Sequence, residues 1–196
     1  MKDRALSAPV ALLLVAAGSA LLAAPPPPIE RPAPGAFGQY QVKAAFLFNF
    51  MKFVEWPPGA IPTGGAPWTL CLLGHDPFHG ALEETVRGRT AGGRACEIRR
   101  VAAAAELPGC HLLFASLYED DTIGAILARV ASRPILTAGE TDRFEHAGGM
   151  IRFVVEGDRV RFVVNAGAAR HAGVKISSKL LSLARSVKGL EGRRDR

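Results

Sequence analysis

In YQVKAAFLFNFMKFVEWPP, from Tyr40 to Pro58, apolar residues recur at intervals of three and four: Tyr40, Ala44, Leu47, Met51 and Val54, with Phe46, Phe50 and Phe53 alongside. That spacing predicts a mostly buried helix with a wide apolar face, ended by Pro57. Phe46, Phe48 and Phe50 also alternate, but about 15 residues is too long for an ordinary strand. Downstream the period changes. WTLCLLG (68–74), CHLLFAS (110–116) and PILTAGE (134–140) are short continuous apolar runs of the buried-strand kind, and RACEIRRV (94–101) alternates as a half-buried strand. Between them, DPFHGALEETVRG reads as a helix ending at Gly88 and AAAAELPG as a short one. YEDDTIGAILARVASR reads as a third helix, with Ile123, Ile126, Leu127 and Val130 on one face.

Buried strands alternating with amphipathic helices predict a three-layer α/β sandwich whose largely parallel sheet is covered on both faces. Then GGMIRFVVEGDRVRFVVN (148–165) carries two strand-like runs joined across EGD, a hairpin that adds an antiparallel edge to the sheet. AGAARHAG reads as a short helix closed by Gly173, and SSKLLSLARSV as a last helix capped by Ser177 or Ser178.

The 196 residues suit a single domain of about 39–187. Residues 1–24 combine a weakly basic start, an apolar centre and small residues near Ala20 and Ala24, the layout of a secretory signal peptide. Export from the cytosol is therefore expected. PPPPIERPAPGAFG (25–38) reads as an extended proline-rich tether, and the end, 188–196, as a basic tail. The net charge of +6 would fall to about +5 on removal of the leader. An exported chain with scattered positive residues does not point to nucleic acid.

Chemistry-bearing motifs are few. No nucleophile elbow, phosphate-cradling loop or dinucleotide fingerprint occurs, and no paired carboxylates stand out, so the chain reads as a non-enzyme without a cofactor. The stretch GHDPFHG sets His75, Asp76 and His79 beside one another, which admits a metal-dependent hydrolase as an outside reading. Asp76 followed by Pro77 is nevertheless the pattern of a helix cap, and a third ligand for zinc is missing. Lys175 and Ser177, at the start of the last helix, form a candidate site for a small anionic ligand, with ordinary capping as the alternative. Of the three cysteines, Cys71 lies inside the first core strand and Cys110 opens a neighbouring one. A bridge between them would close a loop of about 40 residues, worth ~4 kcal/mol. Cys96 competes as a partner for either, and buried free thiols are the other alternative. The expectation carried forward is a Cys71–Cys110 bridge.

Taken in order, YQVKAAFLFNFMKFVEWP, TLCLLGHDPFHGAL, GCHLLFAS, PILTAGETDRF, GGMIRFVVEGDRVRFVVN and HAGVKISSKLLSLAR resemble the YfiR-like family of periplasmic regulators, from about Tyr40 to Val187. The resemblance implies a homodimeric α/β domain without catalytic activity. It implies binding to the periplasmic region of an inner-membrane diguanylate cyclase, or of a sensor kinase, and restraint of cyclic di-GMP signalling and biofilm formation. It directs attention to the hairpin as the partner contact, through Met150, Ile151, Phe153, Arg161, Phe162 and Val163. Period two makes Ile151, Phe153 and Phe162 equally the inward face of the last strands. Some relatives carry an acidic residue at the place of Val163 and an extra cysteine pair around the hairpin, where this chain has Glu145 and Arg152.

Overall fold

The computed structural model describes residues 36–116 and 121–190. The expected leader, residues 25–35 of the expected tether, and residues 191–196 of the expected tail lie outside the described residues. The helix implied by the Tyr40–Val54 spacing is α1 (Ala36–Phe53), so its first turn takes up the end of the segment read as extended. Ala44, Leu47, Phe48 and Phe50 on it are wholly buried, as a helix apolar around most of its circumference must be.

Among the described residues, eight strands form one sheet: β2 (Trp68–Leu73), β3 (Thr90–Ala91), β4 (Arg94–Val101), β5 (Leu112–Ala115), β6 (Leu136–Gly139), β7 (Ile151–Glu156), β8 (Arg159–Asn165) and β10 (Ser186–Lys188). Their order is β10-β8-β7-β6-β5-β2-β4-β3. Pairing is parallel throughout except for the β7–β8 hairpin and the short β3–β4 ribbon. A separate two-stranded pairing joins β1 (Val54–Glu55), directly after α1, to β9 (Lys175–Ile176).

Strand alternation divides the core into two layers. Leu70 and Leu72 of β2, with Leu112 and Phe114 of β5, face α1 together with α2 (Ala81–Val86), α5 (Ala166–His171) and α6 (Ser178–Leu183). Cys71 and Leu73 of β2, with Leu113 and Ala115 of β5, face α3 (Ile123–Val130) and Phe144 of α4 (Asp142–His146). The three-layer arrangement expected from the sequence is the observed one, and Ile123, Ile126, Leu127 and Val130 are the buried face of α3.

Several local expectations are corrected. Asp76 does not cap a helix: its Oδ1 accepts from the Phe78 N–H at 2.8 Å, closing an Asx turn. His79 (φ 49°) and Gly80 (φ 91°) then take left-handed conformations, which no helix tolerates, so α2 begins only at Ala81. AAAAELPG supplies a single 3₁₀ turn, Ala104–Glu106. The last helix stops at Leu183, where the chain leaves in an extended conformation at Ala184. The residues that follow become β10, parallel to Val163–Asn165 of β8.

The TDRFEHAGG segment owes its shape to Phe144, which is 2% exposed. Thr141 caps α4 by accepting from the Phe144 N–H at 3.1 Å. The ring lies so close to Gly139 and Gly149 that a Cβ on either would overlap its carbons. We predict that Gly149→Ala destabilises the fold by about 1–3 kcal/mol through overpacking, read as a lower midpoint in urea, whereas Gly59→Ala, in open space and without a positive φ, changes it by less than half as much.

Candidate interaction surface

The hairpin pairs Phe153 with Phe162, Val154 with Arg161 and Glu156 with Arg159, and Gly157 makes the turn at φ 58°. Met150, Ile151, Phe153, Phe162 and Val163, five of the six residues singled out as partner contacts, are buried in the folded chain (0–5% exposed). Ile151, Phe153 and Phe162 pack in the layer under α1, so the inward-face alternative describes them. Val163 is covered although it lies on the opposite pleat. Of the six, only Arg161 stands exposed.

A surface does exist at the tip. β10 pairs only with Val163–Asn165, and the Arg185 N–H reaches back to the Phe162 carbonyl at 2.8 Å. Because peptide directions alternate along an antiparallel strand and the Asn165 N–H bonds to Met150 on the β7 side, the backbone of Val160 points away from β7. It lies beyond the reach of β10. Beside this open stretch of edge lies a groove of about 480 Å³ lined by Val42, Phe46, Val160, Phe162 and Leu183, with Arg159, Arg161 and Asp158 at its polar side. Val42 is 44% exposed and Leu183 55%, high for large apolar side chains that share one depression. The sequence singled out neither. Val42 falls off the three-and-four spacing of α1 and Leu183 off the buried face of α6, and that mismatch was the available signal.

Behind the hairpin, an ionic cluster ties three elements together. Glu145 of α4 accepts from Arg152 of β7 and from Lys188 of β10, and Arg152 also meets Asp142 at 2.9 Å. The Lys188 hydrogen bond, reinforced by Arg152, holds the Glu145 carboxyl below its ordinary range. A non-covalent clamp thus stands at the two positions singled out near the hairpin.

The expected disulfide joins Cys71 and Cys110 across a Cα–Cα distance of 5.8 Å, with Cys110 in the turn just before β5. The Arg99 guanidinium lies over it, donating to the Pro108 carbonyl at 2.8 Å and toward the Cys110 Sγ at 3.1 Å. Cys96 is the free thiol, half-buried, and burial pushes its pKa up despite nearby Lys52.

The other candidate residues are occupied within the chain. Lys175 pairs with Glu55 at 2.9 Å, which ties β9 to β1, and the Ser177 Oγ caps the Leu180 N–H at 3.3 Å. Asp76 also holds Arg100 at 2.5 Å, while His75 and His79 are exposed on the turn. Among the described residues no three His, Cys, Asp or Glu side chains converge as metal ligands would. His111 accepts the Thr69 N–H on Nδ1 at 3.0 Å, and burial lowers its pKa, which favours the neutral ring. Among the described residues no helix is long and apolar enough to cross a membrane.

Two outcomes follow from these contacts. Reducing the disulfide, or Cys110→Ser, should lower stability by about 2–4 kcal/mol, read by thermal unfolding with and without reductant; an unchanged midpoint would contradict the bridge. Glu145→Gln should cost about 1–2 kcal/mol at neutral pH. Because the folded-state carboxyl titrates below its ordinary value of 4.5, this contribution is fully present above that pH and is lost as pH falls through the depressed value. The gap between wild type and variant should therefore close in acid.

Comparison with known proteins places this architecture. No curated protein matches the chain. Among solved structures, the ABC domain from Streptococcus pneumonia in complex with L-Trp aligns with a TM-score of 0.51 at 12% identity, over 74% of this chain and 60% of that one. A conserved domain protein from Vibrio cholerae aligns with a TM-score of 0.51 at 9% identity, over 76% of this chain and 60% of that one. The chain therefore spans about three fifths of the length of either, and at such identities the likeness is one of fold. The family model for YfiR/HmsC-like proteins matches residues 40–185, from the first buried helix almost to β10. The chain belongs to the YfiR/HmsC-like family.

Proposed function

We propose that this protein is a periplasmic, non-enzymatic regulator that binds the periplasmic region of an inner-membrane diguanylate cyclase and holds the enzyme inactive, lowering cyclic di-GMP and biofilm formation. Family membership supports the regulatory class. The observation that carries the binding mode is the groove at the hairpin tip, where a stretch of β8 without a strand partner on that side among the described residues lies beside exposed Val42 and Leu183. A strand edge supplies main-chain hydrogen bonds to an extended partner segment, and the adjacent apolar depression supplies side-chain selectivity. Arg159 and Arg161 favour a partner segment that carries acidic residues around an apolar anchor.

Repression then needs no chemistry in this chain. A protein that binds one conformation of the cyclase better than the other shifts the population by the ratio of its two affinities, and a hundredfold preference corresponds to about 2.7 kcal/mol.

The test is binding of the purified protein to the detergent-solubilised cyclase, with Leu183→Asp and Arg161→Glu as variants. Both positions are exposed, so the fold should persist by circular dichroism. Each variant should weaken the complex by about tenfold or more. Wild-type affinity in both would remove the tip from the interface, and no complex with any diguanylate cyclase of the same membrane would remove the proposed function.

A further inference from the structure

A second cavity lies between α3 and α5, at the end of β7 and β8 remote from the hairpin turn. It measures about 370 Å³ and is walled by Leu127 and Val130 of α3, Met150, and the Ala147–Gly148 turn, with Ala131 at its rim. This volume and lining are those of a small-molecule site: mostly apolar walls with a few convergent polar groups.

The polar groups are specific. Thr137 of β6 is 1% exposed and lines the cavity. Its Oγ1 accepts the Met150 N–H at 3.1 Å, and the hydroxyl hydrogen is without an acceptor among the described residues. Asn165, the half-buried residue before α5, lines the same cavity and uses its Oδ1 to accept the Ala168 N–H at 3.0 Å. The Thr137 hydroxyl is therefore a buried donor beside the chamber, and a buried donor left unmatched is costly. Among the described residues the one ionisable side chain on the walls is His171, which is exposed to solvent, so an ionised ligand at the buried end beside Thr137 would be stripped of water with no counter-charge there.

We propose that this chamber binds a small uncharged molecule with an apolar body and one hydrogen-bond acceptor, such as a carbonyl. The body packs against Leu127, Val130 and Met150, and the acceptor takes the Thr137 hydroxyl and the Asn165 amide. The site is separate from the hairpin groove and shares none of the residues assigned to partner binding except Met150, whose backbone is held by Thr137.

Titration of the purified full chain followed by amide NMR tests this, with three probes of similar shape: acetophenone (neutral, one carbonyl), ethylbenzene (no acceptor) and benzoate (charged). Acetophenone should shift Thr137, Gly148 and Ala168 saturably, and should bind about tenfold more tightly than ethylbenzene, with benzoate weaker still. Ala131→Phe, a change at the exposed rim that leaves the core untouched, should cut acetophenone affinity at least tenfold by filling the mouth. Thr137→Val should remove the preference for acetophenone over ethylbenzene. If that variant does not fold, Ala131→Phe decides alone. The absence of any saturable acetophenone shift, unchanged affinity in Ala131→Phe, or benzoate binding as well as acetophenone would each overturn the site. Each result is independent of cyclase binding, which the Leu183 and Arg161 variants report.

Discussion

Packing of α1 against the last two strands is the contact on which the rest of the molecule depends. Phe50 meets Phe162 at 5.2 Å and Phe153 at 5.8 Å between ring centroids, Phe46 meets Phe162 at 5.4 Å, and Phe114 of β5 extends the cluster to Phe153 at 6.4 Å. Rings of this size each bury 150–250 Å², so the cluster joins the first helix to strands more than a hundred residues away. It also consumes the inner face of the hairpin. What remains for a partner is therefore the tip, the stretch of β8 edge beyond β10, and the apolar side chains of α1 and α6 that flank them.

The opposite face of the hairpin is governed by charge. Glu145 holds Arg152 and Lys188, so α4, β7 and β10 are joined at one carboxylate. The same short strand that Lys188 anchors limits how much of β8 is open, and Arg185 at its entry pairs with Glu156 of β7 at 2.5 Å. Dimensions of the open edge thus follow from where two basic residues find carboxylates, a constraint that acts through β10 and not through the hairpin itself.

Much of this architecture was legible because its signals are strong and local. Continuous apolar runs at β2, β5 and β6 and the three-and-four spacing of α1 and α3 each have one economical reading, and their alternation implies a covered parallel sheet. The disulfide was foreseeable from the placement of Cys71 and Cys110 near neighbouring strands, although Cys96 competed until the register was known. What was not legible depended on contacts distant in sequence. Ser186–Lys188 has no strand signature of its own and is a strand only because β8 offers an edge and Glu145 a partner. Asp76 looked like a cap until the left-handed turn at His79 and Gly80 delayed α2. For the hairpin, period two could not say which side α1 would cover, so five of the six residues singled out there are buried, while exposed Val42 and Leu183 beside it gave no signal of their own.

The central claim is that control is exerted by a surface and not by a reactive centre. The most direct measurement is the rate of cyclic di-GMP synthesis by the full-length cyclase reconstituted in liposomes, with this protein added on the periplasmic side. Synthesis should fall saturably to a low plateau at about one protein per cyclase protomer, and its rate should return when the protein is washed out. Synthesis that is unchanged at saturating protein, or inhibition that grows with incubation time as catalytic inactivation would, contradicts the account.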